Sequence, residues 1–293
     1  MHSESTEVAE PTLYVVATPI GNLRDITLRA LDTLKAVDAI AAEDTRVSRK
    51  LLAHFGIQAE VISAHEHNER AAAQRLVELL SQGKSVALIS DAGTPAISDP
   101  GAIAVAQVRA AGFRVVSIPG ASAITTAIAA AGLPSAAFCF HGFLPGRKGE
   151  REKMLDALKP RCGLQVFYEA PHRIVECVAS LAAIFGGDRR VGIARELTKL
   201  FEQVHVCRLD EALAWLEQNE NHRRGEFVLL VEGSRAAPDA RAESDSQRVL
   251  EILLQELPLK QAVGLAAEIT GTKKNALYEK ALKLKKESRN EKK

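Results

Sequence analysis

Aromatic side chains make up only 4% of this 293-residue chain, with a single tryptophan, so a core of any size must be built from alanine, leucine, valine and isoleucine. At 46% apolar residues, that composition suits an α/β core, and the length predicts about two domains of roughly 100–200 residues each. Cysteine is scarce: Cys139, Cys162, Cys177 and Cys207 form no C-x-x-C pair, which argues against a disulfide framework or a zinc site and predicts buried, reduced thiols. No apolar run reaches the roughly 20 residues of a bilayer span; Ala121 to Leu133 comes nearest and is broken by Ser122, Thr125 and Thr126. The first twelve residues carry three glutamates and lack a secretory signal's basic start and apolar middle. A cytoplasmic protein with no membrane partner is expected.

Two nucleotide fingerprints are missing as well. Neither of the first two glycine-rich loops matches G-x-G-x-x-G or G-x-x-x-x-G-K-[ST], so the usual NAD and ATP readings lose their support. No G-x-S-x-G elbow is present, and no cysteine sits in an activating setting. His65 and His67, with Glu66 or Glu69 nearby, could share a metal, but no established ligand spacing accompanies them, and none is expected. Net charge is only +1, yet Lys273 to Lys293 holds nine Lys or Arg against three Glu, so this tail carries +6 and the remainder −5. A basic tail suits an anionic partner.

What is present is a set of loops. The segment Ser90-Asp91-Ala92-Gly93-Thr94-Pro95-Ala96-Ile97-Ser98-Asp99-Pro100-Gly101 lies between a strand-like run, Val86 to Ile89, and a helix-like run, Ala102 to Ala111. Gly93 and Gly101 allow close backbone approach, the prolines stiffen the turn, and Asp91 ends the strand where α/β proteins place their binding crevices. Thr18 to Leu23 follows the first strand, and Pro119 to Ala123 supplies a third loop, in which Ser122 can cap the next helix and reach a ligand. Three such loops on one sheet edge predict one shared pocket.

Strand-like runs at Leu13–Ala17, Ala39–Ala42, Val86–Ile89, Val115–Ile118, Ala137–Phe140, Leu164–Tyr168, Val191–Ala194 and Phe227–Val231 mostly alternate with helical patterns, which reads as α/β. An extra strand at Phe201–Cys207, with few crossover helices around it, makes the second half a mixed sheet. The expected organisation is an α/β domain over 12–134, a second over 135–233, a linker over 234–245, and a helical, basic module over 246–293. In that module Leu259–Ile269 and Lys273–Lys285 have helix-turn-helix proportions.

Polar clusters at Glu43-Asp44-Thr45-Arg46, Tyr168 to Arg173, Arg195 to Lys199 and Gly225-Glu226 adjoin apolar strand runs, where catalytic side chains are displayed. Taken singly, Glu43-Asp44 also reads as a helix cap and Arg195-Glu196 as an exposed ion pair.

Taken together and in order, these motifs resemble the tetrapyrrole-methylase-fold group of S-adenosylmethionine-dependent methyltransferases, over about Leu13 to Gly233 and on through the helical tail. The loops at Thr18–Leu23, Asp91–Pro95, Ser98–Gly101 and Pro119–Ala123 are shared across that group. The motifs Ala42–Arg46, Phe167–Arg173, Ala194–Lys199, Gly225–Phe227 and Lys273–Tyr278 are similar to its ribosomal-RNA branch.

The resemblance implies two α/β domains with the ligand cleft between them. S-adenosylmethionine is expected there against Pro19, Ile20, Asp91, Gly93, Pro95, Ser122, Ala123, Tyr168, Leu197 and Glu226. It also implies a homodimer, and methylation of a cytidine ribose 2′-hydroxyl in small-subunit ribosomal RNA, in an assembled particle. A tetrapyrrole or other small-molecule methyltransferase is the alternative, and a noncatalytic RNA-binding assembly factor a further one.

In-line methyl transfer to a hydroxyl calls for alignment and a positioned base, and needs no metal. Contenders for the base are Glu43, Asp44, Glu169, Glu196, Lys199 and His172, with Glu169 and Glu196 best placed. Arg46, Arg173 and Arg195 are expected to grip RNA phosphates, helped by Lys273 and Lys274 and by the basic run Arg147 to Lys153.

Overall fold

The computed structural model describes residues 10–65, 69–234 and 238–290, without the side chains of 238–245, 283 and 285–290. Glu66 and His67, two of the weighed metal ligands, lie outside the described residues. The chain divides into one unit of residues 1–152 and 164–232 and another of 153–163 and 233–293.

The first unit holds both sheets. Strands β1 (Thr12–Val16), β2 (Ala39–Ala42), β3 (Glu60–Ser63), β4 (Val86–Ile89) and β5 (Arg114–Ile118) form a parallel sheet in the order β3-β2-β4-β1-β5. β2 and β4 are buried throughout, as parallel strands covered on both faces must be. Alternate residues divide between two cores: Ala39, Ala41, Val86 and Leu88 join Leu76 and Val108, whereas Ile40, Ala42, Ala87 and Ile89 join Leu34 and Leu52. Helices α1 (Leu28–Ala36), α2 (Thr45–His54), α3 (Glu69–Ser81) and α4 (Ala102–Ala110) supply those layers. Thr27 caps α1 by accepting a bond from Ala30 N–H.

The second sheet runs β6-β7-β10-β8-β9 and is mixed. β6 (Phe138–Phe143) and β7 (Leu164–Glu169), joined through α6 (Lys148–Leu158), are parallel, while β8 (Arg190–Arg195), β9 (Gln203–Arg208) and β10 (Phe227–Val231) pair antiparallel. Because β10 runs against both neighbours, Phe227 at its start is paired with Glu169 and Arg195 at the ends of β7 and β8. Helix α5 (Ala123–Ala131) carries Ile124, Ala127 and Ala131 into a core with Val166, Ala194, Val228 and Leu230, tying the first half to the second sheet. Gly192 makes that approach possible, since a Cβ there would lie 3.2 Å from the Ala131 methyl. α7 (Ile174–Phe185) and α8 (Leu209–Gln218) complete the unit, α7 burying a stripe of Ile174, Val178, Leu181 and Phe185.

The second unit includes α9 (Pro238–Glu256), α10 (Leu259–Thr270) and α11 (Lys274–Asn290) around Leu250, Val263, Ala266, Leu277 and Ala281. Gly271 adopts the left-handed conformation that ends α10, and a short turn leads into α11.

Several expectations change. The segment read as a linker, 234–245, is helical from Pro238; proline is well suited to a first helical turn, and an Ala/Asp/Glu composition without apolar periodicity concealed the helix. β3 was not anticipated, because Glu60-Val61-Ile62-Ser63 is a short edge strand with exposed ends. None of the four cysteines forms a disulfide, but only Cys177 is buried, and Cys162 is exposed. Among the described residues no helix is long and apolar enough to cross a membrane.

Leu76 is fully buried between α3 and the first sheet. Leu76→Ala is expected to lower the unfolding free energy by about 2–5 kcal/mol. A urea midpoint equal to that of the parent would contradict this packing.

Candidate active site

The strand order β2-β4-β1-β5 places the loops that follow these strands side by side, and hydrogen bonds join them. Thr18 and Gly93 exchange both backbone bonds, Thr18 N–H donating to the Gly93 carbonyl at 2.8 Å and Gly93 N–H to Thr18 at 3.1 Å. The Thr18 hydroxyl donates to the Ser90 carbonyl at 3.1 Å, and that of Thr94 to Ala121 at 3.3 Å. Asp44 N–H donates to Asp91 Oδ1 at 3.0 Å, bringing the β2 loop into the array. Glu69 Oε1 accepts from Gly101 N–H at 2.8 Å and Ile103 N–H at 3.1 Å, so this side chain caps α4 and anchors the long loop's far end. Within that loop Ala96 and Ser98 both have φ of 66°, a left-handed conformation costing about 1 kcal/mol or more in a residue other than glycine.

The second sheet contributes Tyr168 and Glu169 from the end of β7, Leu197 and Lys199 from the turn after β8, and Glu226, Phe227 and Val228 from the start of β10. Together with Ile20, Gly93, Thr94, Asp99, Ser122, Ala123 and Phe143 they line a cavity of about 360 Å³. That volume is within the usual range for small-molecule sites. The Ser122 hydroxyl makes no capping bond to α5, contrary to the expected cap, and instead lines the cavity.

Of the residues expected to hold the methyl donor, Ile20, Gly93, Ser122, Ala123, Tyr168, Leu197 and Glu226 line this cavity. Pro19 and Pro95 are buried in the loops behind it, and Asp91 is engaged with Asp44 N–H. Of the catalytic contenders, Glu169 and Lys199 line the cavity, while Glu196 stands behind Lys199, and Glu43 sits beside Asp91, whose N–H it faces at 3.5 Å.

Charge pairing separates these contenders. The Glu169 side chain is 0% exposed, with Oε1 accepting from Ala170 N–H at 2.8 Å and lying 3.2 Å from Arg173 Nε. Lys199 Nζ lies 2.8 Å from both Glu196 Oε1 and Glu226 Oε2, and Glu196 Oε1 also accepts from Glu226 N–H at 3.0 Å. Burial pushes the Glu196 carboxyl up, but its bonds from Lys199 and Glu226 N–H outweigh this and hold it below the ordinary value. Lys199, which burial alone would lower, is raised by its two carboxylate partners. Asp44 is held down to about 2 by its bonds from the Arg46 side chain and backbone, consistent with its reading as a cap of α2. Asp99 goes the other way: burial first, then the neighbouring Glu43 and Asp91 charges, raise it to about 6 against the bond from Ser90.

The expected RNA contacts are dispersed. Arg46 is exposed beside Asp44, and Lys273 and Lys274 are exposed at the start of α11 in the second unit. Arg195 is not the exposed ion-pair member considered for it and does not present a free fork: it is 7% exposed, bonded to the carbonyls of Arg224 and Phe201 and to Gln203 Oε1. Arg173 is held by Glu169 and the Leu144 carbonyl. Arg151, from the run expected to extend a basic track, is 2% exposed and donates to Ser180 Oγ and the Gly146 carbonyl. A buried guanidinium satisfies local carbonyls because leaving them unpaired costs more than an exposed charge gains.

Among the cavity residues that the expected site left out are Asp99 and Phe143. Asp99 lay within a loop already singled out, and its position as an acid in a Gly/Pro-rich cradle was an available signal. Phe143 had none: its place depends on a register shift between Phe140 and Phe143, where Gly142 has φ of 69°.

Known proteins place this geometry. Residues 12–213 match the family of tetrapyrrole (corrin/porphyrin) methylases, and 240–285 match the RsmI C-terminal HTH domain. A uroporphyrin-III-C-methyltransferase from Thermus thermophilus superposes with a TM-score of 0.55 at 20% identity, over 75% of this chain and 94% of that one. A cobalt precorrin-4 methyltransferase gives 0.58 at 18% identity, over 78% and 98%. At such identities the likeness concerns the fold, and with the family match it defines a methylase: the chain belongs to the tetrapyrrole methylase family. Its place within that family is narrower. Ribosomal RNA small subunit methyltransferase I of Escherichia coli O157:H7 is 49% identical over 95% of this chain and 97% of its own length, and that of Vibrio cholerae 50% over 92% and 93%. The same protein from Pseudomonas aeruginosa is 50% identical over 92% and 96%, and the chain belongs to this branch.

Gly225, with φ of 93°, stands where a Cβ would fall 2.5 Å from Glu196 Oε1. Gly225→Ala is expected to displace that carboxylate, release Lys199 and cost about 1–3 kcal/mol. A melting temperature equal to that of the parent would contradict the arrangement.

Proposed function

We propose that the protein transfers a methyl group from S-adenosylmethionine to the ribose 2′-hydroxyl of a cytidine in small-subunit ribosomal RNA. The observation that carries this reading is the cavity itself, formed by family loops from both sheets, in a chain about half identical along nearly its whole length to ribosomal RNA methyltransferases.

The residues present fit a sulfonium nucleoside. Apolar walls from Ile20, Ala123, Leu197 and Val228 suit its adenine ring and thioether arms. Gly93, with φ of 82°, leaves backbone at the wall, where a Cβ would crowd Ile20 Cγ2 at 3.3 Å. When bound, the donor supplies an electrophilic methyl. The protein's share is to align the acceptor oxygen behind that methyl and to exclude water. Ser122 and the Gly93 backbone orient the nucleoside, while Lys199, fixed between Glu196 and Glu226, holds the wall opposite.

RNA is favoured over a tetrapyrrole by two features. Lys273 and Lys274 stand at the N-terminal end of α11, where the helix dipole disfavours cations by about 0.3–1 kcal/mol each, a placement that an anionic partner would offset. Phe143 is 54% exposed at the cavity wall, its ring 5.6 Å from that of Tyr168, and offers a face for an unstacked base. Arg46 adds an exposed guanidinium near the β2 loop.

The substrate is the assembled small subunit, and the enzyme works in the cytoplasm as a homodimer. Leu200 and Phe201, 90% and 68% exposed, support self-association.

Labelled donor incubated with small ribosomal subunits is expected to label ribose at one cytidine, located by nuclease digestion. Label on a base, or turnover on a porphyrinoid instead, would contradict the reading. Lys273→Ala with Lys274→Ala should weaken RNA binding and reduce the slope of log affinity against log salt by about 2. An unchanged slope would remove the tail from the RNA interface.

A further inference from the structure

We infer that Asp99 takes the proton from the ribose 2′-hydroxyl as its oxygen is methylated. The inference rests on the ribose-methylation reading above. In the step, the hydroxyl oxygen forms its bond to the methyl carbon while the carbon–sulfur bond breaks. The sulfonium becomes a neutral thioether, the O–H electron pair stays on oxygen, and the proton passes to an Asp99 carboxylate oxygen, which later returns it to water.

The geometry separates Asp99 from every other candidate. It lines the cavity on the loop from the first sheet, close enough to the Tyr168 ring from the second sheet to help raise that phenol to about 12, after burial. No cation is paired with it among the described residues, and the charges named for it are those of Glu43 and Asp91. Glu169 also lines the cavity, but its side chain is fully buried and its Oε1 is held by Arg173 and Ala170 N–H. Glu196 and Lys199 neutralise each other, Asp44 is tied to Arg46, and His172 is exposed and does not line the cavity. Glu43 lies at the end of β2 against Asp91 N–H, outside the lining.

The surroundings of Asp99 also give it a base's strength. Its loop is held at one end by the Thr18–Gly93 pair and at the other by Glu69, with Ala96 and Ser98 in left-handed conformations between them. The charged groups acting on it are Glu43 after β2 and Asp91 after β4, and both carboxylates oppose its ionisation; Tyr168 on β7 feels its charge in turn. A carboxylate near 6 is a better proton acceptor than one at the ordinary value and is still ionised at neutral pH.

Asp99→Asn tests this, read by single-turnover rate, donor binding by calorimetry, and subunit binding. The expected result is a rate loss of about 10²–10⁴-fold with both dissociation constants within about twofold of the parent. The parent rate should fall on acidification through about 6, and Glu43→Gln should move that limb to lower pH by removing a like charge.

A stability readout is independent of turnover. Because folding raises this carboxyl's pKa, its ionisation disfavours the folded state increasingly from about 4 to 6 and constantly above. Asp99→Asn should therefore melt higher than the parent at neutral pH, the gap closing below the ordinary carboxylate pKa. Rates within threefold of the parent, an acidic limb unmoved by Glu43→Gln, or a loss appearing as weakened donor binding would each overturn the inference. If the parent itself places no methyl on ribose, the functional reading fails and this inference with it. If the parent methylates ribose and Asp99→Asn does so equally well, this inference alone fails.

Discussion

The reciprocal backbone pair between Thr18 and Gly93 is the constraint on which the site depends. It joins the loops after β1 and β4, neighbours in the sheet, through two residues 75 apart in sequence. With that pair closed, Thr94 reaches Ala121 and the third loop is drawn in; Gly120 then packs so closely that a Cβ would lie 2.9 Å from the Ala17 methyl. The cradle is thus set by hydrogen bonds that the backbone must satisfy in any case, leaving the side chains of Ser122 and Asp99 for the cavity.

The opposite wall is fixed by strand direction. A parallel sheet would carry the start of β10 to the far edge; running it antiparallel between β7 and β8 brings Phe227 level with Glu169 and Arg195. Glu226 then meets Lys199, and Gly225 makes room for Glu196. The polar contacts found here stiffen the wall. There Glu196, Lys199 and Glu226 are bonded to one another, whereas Asp99 in the first sheet's long loop is paired with no cation among the described residues.

Much of this was legible in the sequence. Buried strands such as Ala39-Ile40-Ala41-Ala42 and Phe227-Val228-Leu229-Leu230-Val231 announce themselves as continuous apolar runs, and loops rich in glycine and proline mark where they end. The mixed second sheet was legible for another reason, the extra strand at β9 with few crossover helices around it. Less accessible was the fate of individual charges. Nothing in Arg195-Glu196 or Arg147 to Lys153 says that Arg195 and Arg151 turn inward to backbone carbonyls, since burial depends on partners remote in sequence. Phe143 reaches the cavity only through a bulge, and Glu69, weighed as a metal ligand, instead caps a helix beginning 33 residues later.

The central claim is that loops from both sheets of the first unit close around one sulfonium nucleoside. A crystal structure with the demethylated donor, S-adenosylhomocysteine, tests it most directly. The account predicts the nucleoside in the cavity between Gly93 and Leu197, with its sulfur facing Asp99; density for it anywhere else on the protein would contradict the account.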